Sequence, residues 1–173
     1  MFKEPILETE RLILRPVTLD DAEACFSWGS DERVAEFMCY PTAKDISETI
    51  AWIKTTLVDE KEWNWAFVLK DENRVIGSGC IGPDKFMDGY WGIGYNFHYD
   101  YWHKGYCTEA MKAIVDYAHK ELGISKICSE HAVDNLRSGK VMEKLGLEFC
   151  RYGEYSKLDG SKTFKAKIYT LEY

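Results

Sequence analysis

The run Tyr101-Trp102-His103-Lys104-Gly105-Tyr106-Cys107-Thr108-Glu109-Ala110 combines residue types that suit the capture of an anion. A strand-like stretch (90–99) leads into it and Gly105 supplies a turn. Apolar residues then recur with helical spacing at Cys107, Ala110, Met111, Ile114, Val115, Ala118 and Leu122. A strand that turns through glycine into a helix start aims free backbone N–H groups at one point. The helix dipole adds partial positive charge there. Gly105 removes the side chain where a ligand must come close, and Lys104 adds a full charge. This is the chemistry of a phosphate site, and an ordinary strand-to-helix turn shares the local pattern. No G-x-x-x-x-G-K-[ST] run is present. Gly92-Ile93-Gly94 lies inside a strand-like run and lacks the third glycine of a dinucleotide fingerprint.

The elements that must position this loop follow from pattern. Residues 11–15 read as a strand ended by Pro16, and Thr18-Leu19-Asp20-Asp21 offers a helix start for a helix to about Trp28. A short helical piece follows at 31–37. A further helix at 45–58 carries Ile46, Ile50, Ile53 and Leu57 on one face. Residues 63–69 and 75–81 form a strand pair around the turn at Asp71-Glu72-Asn73. The loop helix ends at Gly123, and a strand spans 125–133. Asp134-Asn135 caps a helix that ends near Leu145, with Gly146 as its stop. Two last strands, 147–155 and 164–171, flank Asp159-Gly160. This order gives an α/β domain with a mixed, largely antiparallel sheet. Trp28 and Trp52 read as core residues, whereas Phe37 and Tyr40 flank a loop.

The bulk properties bound the function. The chain has 173 residues, fits one domain, and is 46% hydrophobic and 29% charged. No apolar run is long enough to span a membrane, and the segment Met1 to Pro5 lacks a signal-peptide core. Six cysteines are scattered without a C-x-x-C pair, which fits free thiols in a reducing cytoplasm. The four histidines lack metal-ligand spacing, so no metal is expected. A net charge of −7 argues against a nucleic-acid partner and suits a cationic one. It also opposes a polyanionic ligand, which backbone amides and Lys104 must then hold.

Taken together, three motifs give the chain a resemblance. They are Gly94-Tyr95 followed by Tyr101 to Ala110, the opening Thr9-Glu10-Arg11-Leu12-Ile13-Leu14-Arg15, and Asn135-Leu136-Arg137-Ser138 followed by Glu143-Lys144-Leu145-Gly146-Leu147. In this order they resemble the GNAT acetyltransferase superfamily, and within it the Rim-type branch of ribosomal-protein N-terminal acetyltransferases. The departures are His103 for a glycine and Cys107 for an alanine.

The resemblance implies the GNAT fold over the whole chain and a site for acetyl-CoA. The diphosphate is expected on residues 103–108: His103, Lys104, Gly105, Tyr106, Cys107 and Thr108. Asn96, Phe97 and His98 match the strand that holds the pantetheine arm and the thioester carbonyl, chiefly through backbone. Asn135 is expected to bond the arm, with Ser138 one turn on, near the sulfur. Gly139, inside that helix, fits close approach of a ligand or another backbone, or a chance glycine at the surface. Many relatives carry a general-acid Tyr where this chain has Met142, which leaves Ser138 or water to protonate the thiolate. Glu130 is the first choice for the base, with His98 and Tyr95 as alternatives. His131 should face the other side of its sheet. Glu36, Phe37, Tyr40 and Tyr95 are expected on the acceptor side.

The function expected is direct transfer of acetyl from acetyl-CoA to a primary amine, without an acyl-enzyme. An α-amine of pKa about 7.8 is roughly a quarter neutral at pH 7.4, whereas a lysine amine is roughly 0.1% neutral. A protein or peptide N-terminus therefore suits a chain without an obvious strong base. The alternatives are a small amine such as a polyamine or aminoglycoside, or a non-catalytic acyl-CoA-binding module. The assembly is expected to be a monomer or homodimer.

Overall fold

The computed structural model describes residues 4–173, so Met1 to Lys3 of the leader reading lie outside the described residues. The alternation of apolar and polar residues produces eight strands in one sheet. These are β1 (Leu7–Glu8), β2 (Leu12–Pro16), β3 (Trp63–Leu69), β4 (Arg74–Pro83), β5 (Trp91–Phe97), β6 (Lys126–Ala132), β7 (Glu148–Ser156) and β8 (Thr163–Glu172). The helices are α1 (Ala22–Gly29), α2 (Glu32–Ala35), α3 (Ile46–Val58), α4 (Tyr106–Lys120) and α5 (Leu136–Lys144). The strand order is β1-β2-β3-β4-β5-β6-β8-β7. All neighbours are antiparallel except β5 and β6.

Period-2 patterning splits the strand side chains between two layers. On one face Leu12, Leu14, Trp65, Phe67, Ile93, Phe97 and Ile127 meet the α4 stripe Ala110, Met111, Ile114, Val115 and Ala118. On the other, Val17 and Ala66 pack with Trp28, Val34 and Ile53 of α1, α2 and α3. The α3 stripe differs from expectation. Ile53 and Thr49 are buried, but Leu57 and Trp52 are each 41% exposed. Leu57 lies four residues beyond Ile53, in the last turn of α3. Trp52 is not a core residue, in contrast to Trp28 at 3% exposure.

One irregularity shapes the centre of the sheet. β5 and β6 pair only at Trp91↔Ile127 and Gly92↔Cys128, although both strands run on. Beyond that point the Ser129 hydroxyl donates to the Ile93 carbonyl at 3.0 Å. The strands then part, and the β6-facing edge of residues 94–97 has no ladder partner.

Candidate active site

A cleft of about 390 Å³ lies at the parting, bordered by the end of β5, the loop before α4 and the first turns of α5. The loop runs through two left-handed residues, His103 (φ 62°) and Gly105 (φ 82°), the latter being the N-cap of α4. His103 thus keeps the backbone angle a glycine would adopt more cheaply. A Cβ on Gly105 would meet Arg11 Nη2 at 3.4 Å. The left-handed backbone angle favours glycine here, and the missing side chain also leaves the cleft wall open at this point. His103, Gly105, Tyr106, Cys107 and Thr108 line the cleft. Lys104 does not: its ammonium sits 5.1 Å from the Tyr101 ring centroid.

The full positive charges in the cleft wall come instead from Arg137, Lys140 and Lys144 of α5; Arg33 opposite is paired with Asp31 at 2.6 Å. Their spacing of three and four residues puts the α5 cations on one helix face, a signal that was readable in the sequence. This stripe and the loop N–H groups offset the chain's acidity locally and suit a polyanionic ligand.

Asn96, Phe97 and His98 divide between different surroundings. The His98 N–H bonds the Ile76 carbonyl at 2.8 Å. In an antiparallel ladder this directs the backbone of Asn96 and His98 toward β4, and that of Tyr95 and Phe97 toward the open edge. The Phe97 carbonyl is taken by Trp102 Nε1 at 2.9 Å. The open backbone groups are thus those of Tyr95 and the Phe97 N–H. The Phe97 ring packs on Phe67, and His98 lies outside the cleft lining.

On the α5 side, the Tyr95 phenol lies 2.9 Å from Ser138 Oγ and donates to the Ser138 carbonyl at 3.2 Å. Burial pushes the Tyr95 phenol well above its ordinary pKa, so it acts as a hydrogen-bond partner rather than an anion. Asn135 caps α5, its Oδ1 accepting the Ser138 N–H at 3.4 Å. The oxygen is committed to the helix, which leaves the amide hydrogens as the donors toward a ligand. Met142 is buried with Leu147 and Tyr169 and points away from the cleft into the core. Gly139 has a specific cause: a Cβ there would stand 2.8 Å from His131 Nε2. A buried imidazole, not a ligand or a backbone, requires that glycine. Cys107 lines the cleft, but burial drives its thiol pKa far up, which keeps it protonated at neutral pH.

The opposite face of the sheet carries the remaining candidates. Asn96 Oδ1 accepts from Ser78, and its Nδ2 donates to the Tyr40 hydroxyl at 3.3 Å. Phe37 lines the cleft and packs on Phe164. Exposed Glu36, the C-cap of α2, does not line it. The segment 35–40 is held from behind by the β7–β8 hairpin. Lys157 Nζ donates to the carbonyls of Ala35, Met38 and Tyr40, the Tyr155 hydroxyl to that of Phe37, and the Leu158 N–H to that of Cys39. Glu130 and His131 do face opposite ways: His131 is buried against α5, and Glu130 is exposed on the other face. Glu130 therefore does not share the Ser138 side. Although its side chain reaches solvent, desolvation by the surrounding groups and then Asp84 push its carboxyl up, with Arg151 opposing.

Comparison with known proteins agrees with this architecture. The model of the acetyltransferase (GNAT) domain matches residues 11–148. The chain is 32% identical over 149 residues to the uncharacterized N-acetyltransferase YoaA of Bacillus subtilis, covering 83% of each. Among solved structures, a chain described as a putative ribosomal-protein-serine acetyltransferase from Vibrio cholerae superposes with TM-score 0.83 at 17% identity, covering all of both chains. The spermidine N-acetyltransferase of Vibrio cholerae, in complex with CoA and spermine, gives TM-score 0.80 at 13% identity, covering 95% of this chain and 96% of that one. The fold, the loop before α4 and the match over most of the chain lead to one conclusion: this protein belongs to the GNAT acetyltransferase family and is an acetyl-CoA-dependent N-acetyltransferase.

Proposed function

We propose that the acceptor is a protein or peptide N-terminal α-amine, acetylated by direct attack on the thioester. The observation that carries the reading is the parting of β5 from β6. The cleft there is lined by Tyr95, Ser138 and Asn135 from one face and by Asn96 and Phe37 from the other; Tyr40 bonds Asn96, and Glu130 stands on that second face, outside the cleft lining. The coenzyme arm enters from the first face and the amine from the second.

In this mechanism the neutral amine nitrogen attacks the thioester carbonyl carbon, and the C–S bond breaks. The amine's surplus proton leaves to Glu130, directly or through water. The departing thiolate takes a proton from the Ser138 hydroxyl, which recovers one from solvent. The raised pKa of Glu130 makes it a better base near neutrality than an ordinary carboxylate. It is still a mild base, which matches an α-amine already partly neutral. The protonated Cys107 thiol supports direct attack over an acetyl-cysteine route. Likeness to the ribosomal-protein-serine acetyltransferase favours the peptide acceptor. Likeness to the spermidine enzyme, together with Glu62, Asp84 and Glu130 near that face, supports a small cationic amine as the second reading.

CoA release measured with three acceptor sets tests this: peptides with a free N-terminus, the same peptides blocked at the α-amine but carrying lysine, and spermidine. Turnover with the first set alone is expected. Turnover confined to spermidine or to lysine would replace the peptide reading, and binding of acetyl-CoA without turnover on any acceptor would indicate a non-catalytic module.

A further inference from the structure

We infer that Arg11, outside the cleft, is a positioning residue that sets the loop before α4 in the conformation that receives the coenzyme diphosphate. Arg11 enters from the start of β2, yet its guanidinium reaches three points of the loop region. Its Nη1 donates to the Lys104 carbonyl at 2.9 Å. Its Nε and Nη2 lie 2.7 and 2.6 Å from Glu109 Oε2. Its plane covers the Tyr106 ring, with 4.3 Å from Cζ to the centroid. Glu109 in turn is anchored by Thr9 Oγ1 at 2.6 Å and the Arg11 N–H at 2.8 Å. The residue before Gly105, the residue after it and the first turn of α4 are thus tied to one side chain.

Two consequences follow for an anion. In a trans peptide the C=O and N–H point in opposite directions. Drawing the Lys104 carbonyl toward Arg11 therefore turns the Gly105 N–H away from Arg11, toward the cleft that Gly105 lines. A carbonyl turned inward would instead repel a diphosphate. Arg11 also neutralises Glu109, whose charge suits the helix N-terminus but opposes an anion bound there. The loop needs such a hold, because His103, which is not a glycine, sits in the left-handed region. Arg11 does not line the cleft and acts through the loop.

The inference rests on the diphosphate lying against residues 103–108. Titration calorimetry with acetyl-CoA and with S-acetylpantetheine, which lacks the diphosphate and nucleotide, separates the two ideas. The wild-type protein should bind acetyl-CoA far more tightly than S-acetylpantetheine; equal binding of the two donors would remove the diphosphate reading itself. Given that preference, Arg11→Ala should weaken acetyl-CoA roughly 10- to 100-fold, the worth of one or two charge-assisted hydrogen bonds, and leave S-acetylpantetheine unchanged. Arg11→Lys keeps the charge but loses the fork and should fall between; it gives the same readout if the alanine variant does not fold. Equal weakening of both donors would make Arg11 a general structural residue, and unchanged acetyl-CoA binding in a folded variant would overturn the proposal.

Discussion

The Tyr95 phenol oxygen stands 2.9 Å from Ser138 Oγ, tying the open edge of β5 to the first turn of α5. The contact fixes the hydroxyl rotamer of Ser138 at the mouth of the cleft. A tyrosine reached from the strand thereby occupies the neighbourhood in which Met142 leaves the helix without an acid.

Two substitutions separate the partners. Ser138→Ala should lower kcat about 10²-fold or more if its hydroxyl protonates the thiolate, within the range of general acid catalysis. Tyr95→Phe should lower kcat less, because it removes only the orientation of that hydroxyl. It should also cost about 0.5–1.5 kcal/mol of stability for the lost hydrogen bond. Steady-state kinetics with varied acetyl-CoA checks this. A greater loss of kcat in Tyr95→Phe than in Ser138→Ala would place the proton on Tyr95.

Gly139→Ala is expected to destabilise the protein. Helix propensity alone favours alanine over glycine by about 1 kcal/mol. The added Cβ, however, meets the buried His131 ring at 2.8 Å, and overpacking costs about 1–3 kcal/mol. Urea unfolding decides the sign. A more stable alanine variant would mean that the imidazole yields freely.

Acid lability should trace in part to Asp21. Burial alone would raise its carboxyl pKa, but the Arg15 fork at 2.7 and 2.8 Å and the Thr18 N–H at 2.8 Å outweigh it, and the net shift is downward. A depressed folded pKa contributes stability above the unfolded value, about 3.9, that is lost as pH falls through the folded value. Asp21→Asn should cost about 3 kcal/mol near pH 7, the lower end for a buried pair because Arg15 is partly exposed. The gap between the two proteins' unfolding curves should hold steady above pH 5 and shrink below about pH 4. A gap constant down to pH 2 would exclude this linkage.

His103→Gly should relieve a left-handed non-glycine residue and stabilise the protein by up to about 1 kcal/mol. Acetyl-CoA affinity should change little, since the loop already holds that backbone angle. Thermal melts and calorimetry of the variant give both quantities.

Local chemistry made much of this molecule legible. The 3.6-residue stripe of α4, the Asn135 cap, the Gly123 and Gly146 stops and the glycine turn before α4 are all set by neighbours in sequence. What escaped depends on contacts that only the fold creates. Arg11 and Glu109 are 98 residues apart, and no pattern within β2 or α4 announces their pairing. The reason for Gly139 lies on β6, in His131. The outward direction of the Tyr95 and Phe97 backbone, rather than that of Asn96 and His98, is set by register with β4. The two-residue β1 is too short to show periodicity. The α5 cations were visible as a helix face, but only the placement of α5 against the loop makes them a wall of the cleft.

The central claim is that acetyl-CoA lies along the loop before α4 and the start of α5. It is tested most directly by titrating acetyl-CoA into the ¹⁵N-labelled protein and following the backbone amide resonances. The largest saturable shifts should fall on residues 103–108 and on Asn135 to Ser138, with smaller ones on Tyr95 and Phe97. Saturable binding that leaves the amides of 103–108 unmoved would contradict it.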